Sequence, residues 1–199
     1  MLLEDIKKTA ESLTGLARPK PRQAHAVVRA RKAGTWLFKD DGLVPNNPAW
    51  PVIRYRGAVS LKAAPDPAAV FEVLFAAHGW NDSWRDVVYD YLHYHSDQHE
   101  VLGFARGHAL LRVGGARHGR KLELKAGDVL ILPAGTGHQR LSMSDDLLVV
   151  GAYPHKGGYD MCQPTKVDHD RAAIAVAKTP RPKADPVYGT DGPLTQFWR

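Results

Sequence analysis

YLHYHSDQHEVLGFARG, residues 91–107, sets His93, His95, His99 and Glu100 within eight consecutive positions. Residues two apart on an extended strand share a face, so His93 and His95 point the same way, about 6.6 Å apart along the chain. Tyr89 and Tyr91, just upstream, continue that face. SDQH has a length suited to a hairpin turn, after which EVLGFARG is expected to return as the neighbouring strand with Glu100 at its start. Two imidazoles and a carboxylate then converge from local geometry, and such mixed nitrogen and oxygen donors suit a metal ion.

A further donor comes from GDVLILPAGTGH, residues 127–138. Gly127 precedes a short apolar strand, Pro133 ends it, and Gly135 and Gly137 permit a sharp turn that delivers His138. Together the two segments resemble the motifs of the cupin family. His93-Tyr94-His95, four residues, Glu100, six residues and Gly107 match the first motif, with Val87 where its leading glycine is expected. Gly127, Pro133, Gly135 and His138 match the second, with Ser142 replacing its asparagine, and the 19 residues from His108 to Ala126 separate the two. Neither departure touches a ligand position. LEDIKK, SLTG, FKDDG, GWNDSWRD and VVGAYP extend the similarity to the YjlB-like cupins.

The resemblance implies an all-β fold: a single cupin β-barrel of the RmlC-like jelly-roll type over residues 34–160, after a helical, basic arm (1–33) and before a C-terminal extension (161–199). It also implies one divalent metal ion, iron, manganese, nickel or zinc, held by His93, His95, Glu100 and His138 with positions left open for water or substrate. His99 is the alternative ligand to Glu100. Only Glu100 stands seven residues before Gly107, which leaves His99 behind the ligands or at the rim. His25, His78, His108, His118, His155 and His169 fit no ligand spacing, and the lack of cysteine donors excludes a finger-type zinc site. Tyr89, Tyr91 and Arg140 extend the histidine face and are expected to line a substrate pocket. The plainer alternative is that the tyrosines only pack and satisfy their hydroxyls. Cupins include dioxygenases, isomerases and decarboxylases, so the resemblance implies a metalloenzyme acting on a small polar, carboxylate or sugar-like substrate. A non-catalytic module that binds a small molecule or a metal is the alternative.

At 199 residues and 44% hydrophobic composition the chain can bury one sizeable core. The lone Cys162 excludes an internal disulfide, fits a reducing, cytoplasmic setting and reads as an inert buried thiol. MLLEDIKK lacks the basic start of a signal peptide, and no apolar run approaches the roughly 20 residues of a membrane span. The net charge is +6, and six of the 27 basic residues lie between Arg18 and Lys32, leaving 21 to balance 21 acids. This arm could contact nucleic-acid phosphates. Without interleaved aromatics or a recognised motif, a solvated linker is the simpler reading.

Leu2, Ile6, Ala10 and Leu13 make one helical face stopped by Gly15, and Asp66-Pro67 open a second helix ending near Gly79. TWLF and PVIRYRGAVSL read as strands, with Arg54 and Arg56 pointing either to solvent or to an anionic ligand. From Asp86 to Pro154 the strand-like stretches DVVYDYLHYH, EVLGFARG, ALLRVGG, KLELKAG, DVLILPAG, HQRLS and LLVVGAYP imply an antiparallel sandwich or barrel. DRAAIAVAK suggests a last helix. Phe197 and Trp198 are expected to dock on the barrel or on a second subunit, and the resemblance implies a homodimer.

Overall fold

The computed structural model describes residues 2–14, 18–154 and 157–199. Gly15, the expected stop of the first helix, and His155 lie outside them. Nine strands among these residues form two antiparallel sheets. The larger has the spatial order β1 (Ala33–Trp36), β2 (Val52–Tyr55), β7 (Val129–Leu132), β4 (Glu100–Arg106), β9 (Leu148–Tyr153) and β3 (Asn81–Asp86). The smaller runs β6 (Arg120–Lys125), β5 (His108–Val113), β8 (His138–Met143). Helices α1 (Leu2–Thr14), α2 (Pro21–Ala26) and α3 (Pro67–Ala77) come from the first half of the chain, α4 (Lys166–Val176) and α5 (Pro193–Phe197) from its end. None is long and apolar enough to cross a membrane.

Burial explains why some strands read as unbroken apolar runs and others as alternation. Every residue of β2, β7 and β9 is buried, because both faces of the larger sheet are covered. Leu102, Phe104, Leu130 and Val149 meet Leu111 and Leu122 of the smaller sheet on one face. On the other, Ile53, Ile131 and Val150 share a core with Phe71 and Phe75 of α3 and with Trp198. In β6 only Leu122 and Leu124 are buried, so RKLELK alternates with one side in water. Arg54, the charged residue of β2, is 7% exposed and pairs with Asp128 at 2.7 Å, while Arg56 faces solvent. The anion that Arg54 meets belongs to its own chain.

The ladders form two sheets with separate edges among the described residues, not the one closed barrel that the cupin resemblance implies. A second difference lies beside the site. DVVYDYLHYH is not a strand: β3 ends at its first residue, Asp86, and residues 87–99 contribute only the isolated bridges His93 to His138 and Tyr94 to Cys162. The expected SDQH hairpin is absent. Both edges of β4 are already occupied, by β7 and β9, so the histidine segment attaches to the free edge of β8 instead.

The helices pin this arrangement. Asp66 caps α3 by accepting from the Ala68 N–H, and Pro67 suits the first turn. Arg85 of β3 is buried and donates to Glu72 of α3 at 2.9 and 2.8 Å and to Asp66 at 2.8 Å, which ties helix to sheet. Trp198 is fully buried, stacked on Trp50 at 5.5 Å with its Nε1 donating to the Pro51 carbonyl at 2.8 Å. Of the two terminal aromatics, the tryptophan thus docks on its own chain, while Phe197 stays 44% exposed.

Candidate metal centre

The two histidine segments are joined at the histidines themselves. His93 and His138 exchange backbone hydrogen bonds, His93 N to His138 O at 3.2 Å and His138 N to His93 O at 2.9 Å. The turn before β8 closes with Thr136 N donating to Pro133 O at 3.1 Å, and Gly135 sits at φ +87°, a conformation that favours glycine. Gly135 N also donates to His95 O at 2.7 Å. Glu100 then enters from the first position of β4.

His93, His95 and His138 are buried and offer one ring nitrogen each, all within 4.8 Å of one another. Their other nitrogens fix the tautomers. Nδ1 of His93 lies 3.0 Å from Tyr91 O, that of His95 2.6 Å from Asp160 O, and that of His138 3.1 Å from Thr136 O. A carbonyl can only accept, so in each neutral ring Nδ1 carries the hydrogen and Nε2 keeps a bare lone pair. Glu100 Oε2 is 3.3 Å from His138 Nε2 and 3.7 Å from His95 Nε2.

This arrangement is electrostatically incomplete. Burial, and next the charge of His138, lower the His93 pKa to about 3, so that ring is neutral near pH 7. Burial raises the Glu100 pKa, but its neighbours His138, His95 and His93 outweigh it and hold the carboxyl at about 2, ionised. Glu100 Oε2 is buried without a hydrogen-bond partner. An orphaned carboxylate oxygen facing imidazole lone pairs is unfavourable until a cation lies between them. The donor set therefore fits a divalent metal ion.

Beside it lies a cavity of about 180 Å³ lined by all four of these residues. Tyr89 lines it as well, stacked on Tyr91 at 5.0 Å. Tyr91 and Arg140, expected in the pocket, are not on its wall: Arg140 Nε donates to Val88 O at 2.8 Å, and its guanidinium lies 3.8 Å from Asp90. For Tyr91 the strand alternation that placed it there does not hold, because residues 87–92 are irregular, whereas Arg140 lies on β8 as expected and is held at the rim by Val88 and Asp90. His99 is fully buried and turned elsewhere. Its Nδ1 accepts from Ala134 N at 2.9 Å, its Nε2 lies 3.2 Å from Pro180 O, and its ring packs against Trp50 and Trp198.

With the geometry in place, known proteins offer a comparison. The chain is 36% identical to the uncharacterized protein YjlB of Bacillus subtilis (strain 168) over 168 residues, 84% of this chain and 98% of the relative. It belongs to the YjlB family. No protein-family model matches the sequence. Among solved structures, Bacillus subtilis oxalate decarboxylase OxdC is similar at 19% identity and a TM-score of 0.33, over 57% of this chain and only 23% of that one. A 3,4-ketoisomerase from Thermoanaerobacterium thermosaccharolyticum is similar at 14% and 0.40, over 48% of this chain and 74% of that one.

In this YjlB-family chain the structure adds residues that the sequence reading did not single out. Tyr153 OH donates to Glu100 Oε1 at 2.9 Å and accepts from Trp84 Nε1 at 3.1 Å. Trp84 can lie there because residue 151 is glycine; a Cβ at Gly151 would overlap the indole. Tyr153 sits beside Glu100 because β9 pairs with β4, Ala152 opposite Val101. The signal available was faint: GWNDSWRD and VVGAYP were part of the YjlB-like pattern without any visible chemistry. Cys162, as expected, is a buried thiol; burial and its Asp160 contact push its pKa up to about 11.

Proposed function

We propose that this protein is a mononuclear metalloenzyme of the cupin type, in which His93, His95 and His138 through Nε2 and Glu100 through Oε2 hold one divalent ion. One observation carries the reading: three buried imidazoles have Nδ1 committed to backbone carbonyls, and their lone pairs share a site with a partnerless carboxylate oxygen. When bound, the ion would supply Lewis-acid chemistry toward an oxygen of a small-molecule substrate. The carbonyls of Tyr91, Asp160 and Thr136 orient the rings, and the Tyr153 hydroxyl holds Oε1 so that Glu100 presents a single oxygen. Burial of all four donors keeps bulk water from competing for them.

Four protein donors would close a tetrahedral zinc site but leave positions free on a six-coordinate ion. Iron, manganese or nickel therefore suits catalysis better here, and a closed zinc site would mark the non-catalytic alternative. The test is elemental analysis of protein purified without a chelating column, on the wild type and three variants. His95→Ala and His138→Ala should lose most of the metal, whereas His99→Ala should keep most of it. Equal loss in all three would overturn the ligand assignment.

A further inference from the structure

We infer that the cavity over these four donors selects a small molecule about one ring in size that carries no net negative charge. The inference deepens the metalloenzyme reading by naming the class of molecule the site takes, and it departs from the carboxylate substrate that the family resemblance implies. Three independent features of the wall support it.

The first is aromatic. Tyr89 and Tyr91 stack on each other and stand against His93 with ring centroids 5.3 and 5.4 Å away. Tyr153 and Tyr159 stack at 4.8 Å and stand against His95 at 6.0 and 4.7 Å. Tyr89, Tyr153 and Tyr159 thus line the cavity beside the imidazoles, with Tyr91 behind Tyr89, and Trp84, Leu102 and Met161 add further apolar wall. Faces of this kind favour a planar, largely apolar body.

The second is charge. Among the described residues, the cation on the wall apart from the histidines is Arg85, and its guanidinium is bonded to Glu72 and Asp66. Arg140, expected on the pocket wall, stands outside the cavity beside Asp90. Asp5 of α1 and Asp86 of β3 do line it, together with Glu100. These three carboxylates offset the two positive charges that a divalent ion would bring, and the guanidinium of Arg85 is already engaged by Asp66 and Glu72. Among the described residues of the wall, a substrate carboxylate would meet Asp5 and Asp86 and no cation beyond the histidines and Arg85, which two acids already hold, whereas a neutral carbonyl or hydroxyl oxygen would meet no such repulsion.

The third is size. At about 180 Å³ the cavity is smaller than the roughly 300–1,000 Å³ typical of sites for drug-sized ligands.

Benzamide and benzoate separate charge from shape, since the two are nearly isosteric. Calorimetric titration of the metal-loaded full chain should show benzamide binding at least about tenfold more tightly than benzoate. In the double variant Asp5→Asn/Asp86→Asn the ratio should fall toward one; the asparagine can still accept from Val87 N as Asp86 does at 2.8 Å. A two-ring amide, 2-naphthamide, should bind far more weakly than benzamide. Benzoate binding as tightly as benzamide, neither binding at millimolar concentration, or naphthamide matching benzamide would each overturn the inference. Metal content measured on the same samples, and a repeat after chelation, keep the two readings apart. A chain without stoichiometric metal that still prefers benzamide refutes the metal centre and retains the selectivity. A metal-loaded chain without that preference does the reverse.

Discussion

Glu100 shows how one side chain acquires a role that its position alone does not assign. Its Oε1 accepts from Tyr153, whose hydroxyl accepts from Trp84, so only Oε2 remains to face the histidines. Tyr153→Phe removes that restraint while keeping the ring and its stack on Tyr159. It should weaken metal binding about 10–100-fold with little loss of fold stability, as outer partners of ligands generally do. Chelator competition paired with a thermal melt measures both quantities. Unchanged affinity would mean that backbone packing alone orients Glu100.

Between helix and sheet the same reasoning applies to charges. Arg85 neutralises Asp66 and Glu72 inside the protein, and Lys7, Lys8 and Arg18 approach those acids from the more exposed side at 3.4, 3.7 and 2.8 Å. Arg85→Ala leaves two buried carboxylates short of their closest partner and should cost about 3–5 kcal/mol, read from urea denaturation. Replacement by methionine, which fills volume without a charge, should not rescue it, because the acids stay buried. A milder link joins α4 to the segment before β2. His169 bonds Asp170 at 3.2 Å and Asp40 at 2.8 Å, and these contacts raise its pKa. A raised folded-state pKa stabilises below the unfolded value of about 6.5 and loses that contribution as pH climbs through the folded value. His169→Gln should therefore lower the melting temperature near pH 6, by the equivalent of about 0.2–1 kcal/mol, and leave it unchanged near pH 9.

The last residues of the chain belong to the core between the larger sheet and α3. Trp198 packs with Trp50 and His99, and His99 in turn accepts from Ala134 in the turn that delivers His138. Trp198→Ala should cost about 3–5 kcal/mol in denaturant unfolding, as other large-to-small changes in a close-packed core do. A bound metal would act on the entire fold through linkage. Ligating imidazoles must be neutral, and the ordinary histidine pKa is about 6.5, so protons would compete with the ion as pH falls below about 6. Melting curves with added metal and with chelator should separate widely from about pH 7 upward and merge near pH 5. Coincident curves throughout would mean that the ion contributes nothing to the folded state.

Much of the site was legible from local pattern. The spacing of His93, His95 and Glu100, with the proline and glycines ahead of His138, lies in short segments whose backbone choices are set by near neighbours. Strand existence from Glu100 onward was legible for the same reason: apolar runs and alternation record burial directly. Pairing was not. The hairpin expected at SDQH failed because β4 finds partners in β7 and β9, segments about 30 and 50 residues away in sequence, and no short window encodes which distant edge is free. Loss of that strand moved Tyr91 off the wall, and the pairing of β9 with β4 brought Tyr153 to Glu100. Residue spacing thus sets which donors can meet a metal, whereas long-range packing chooses their tautomers, their restraints and the charge of the cavity they face.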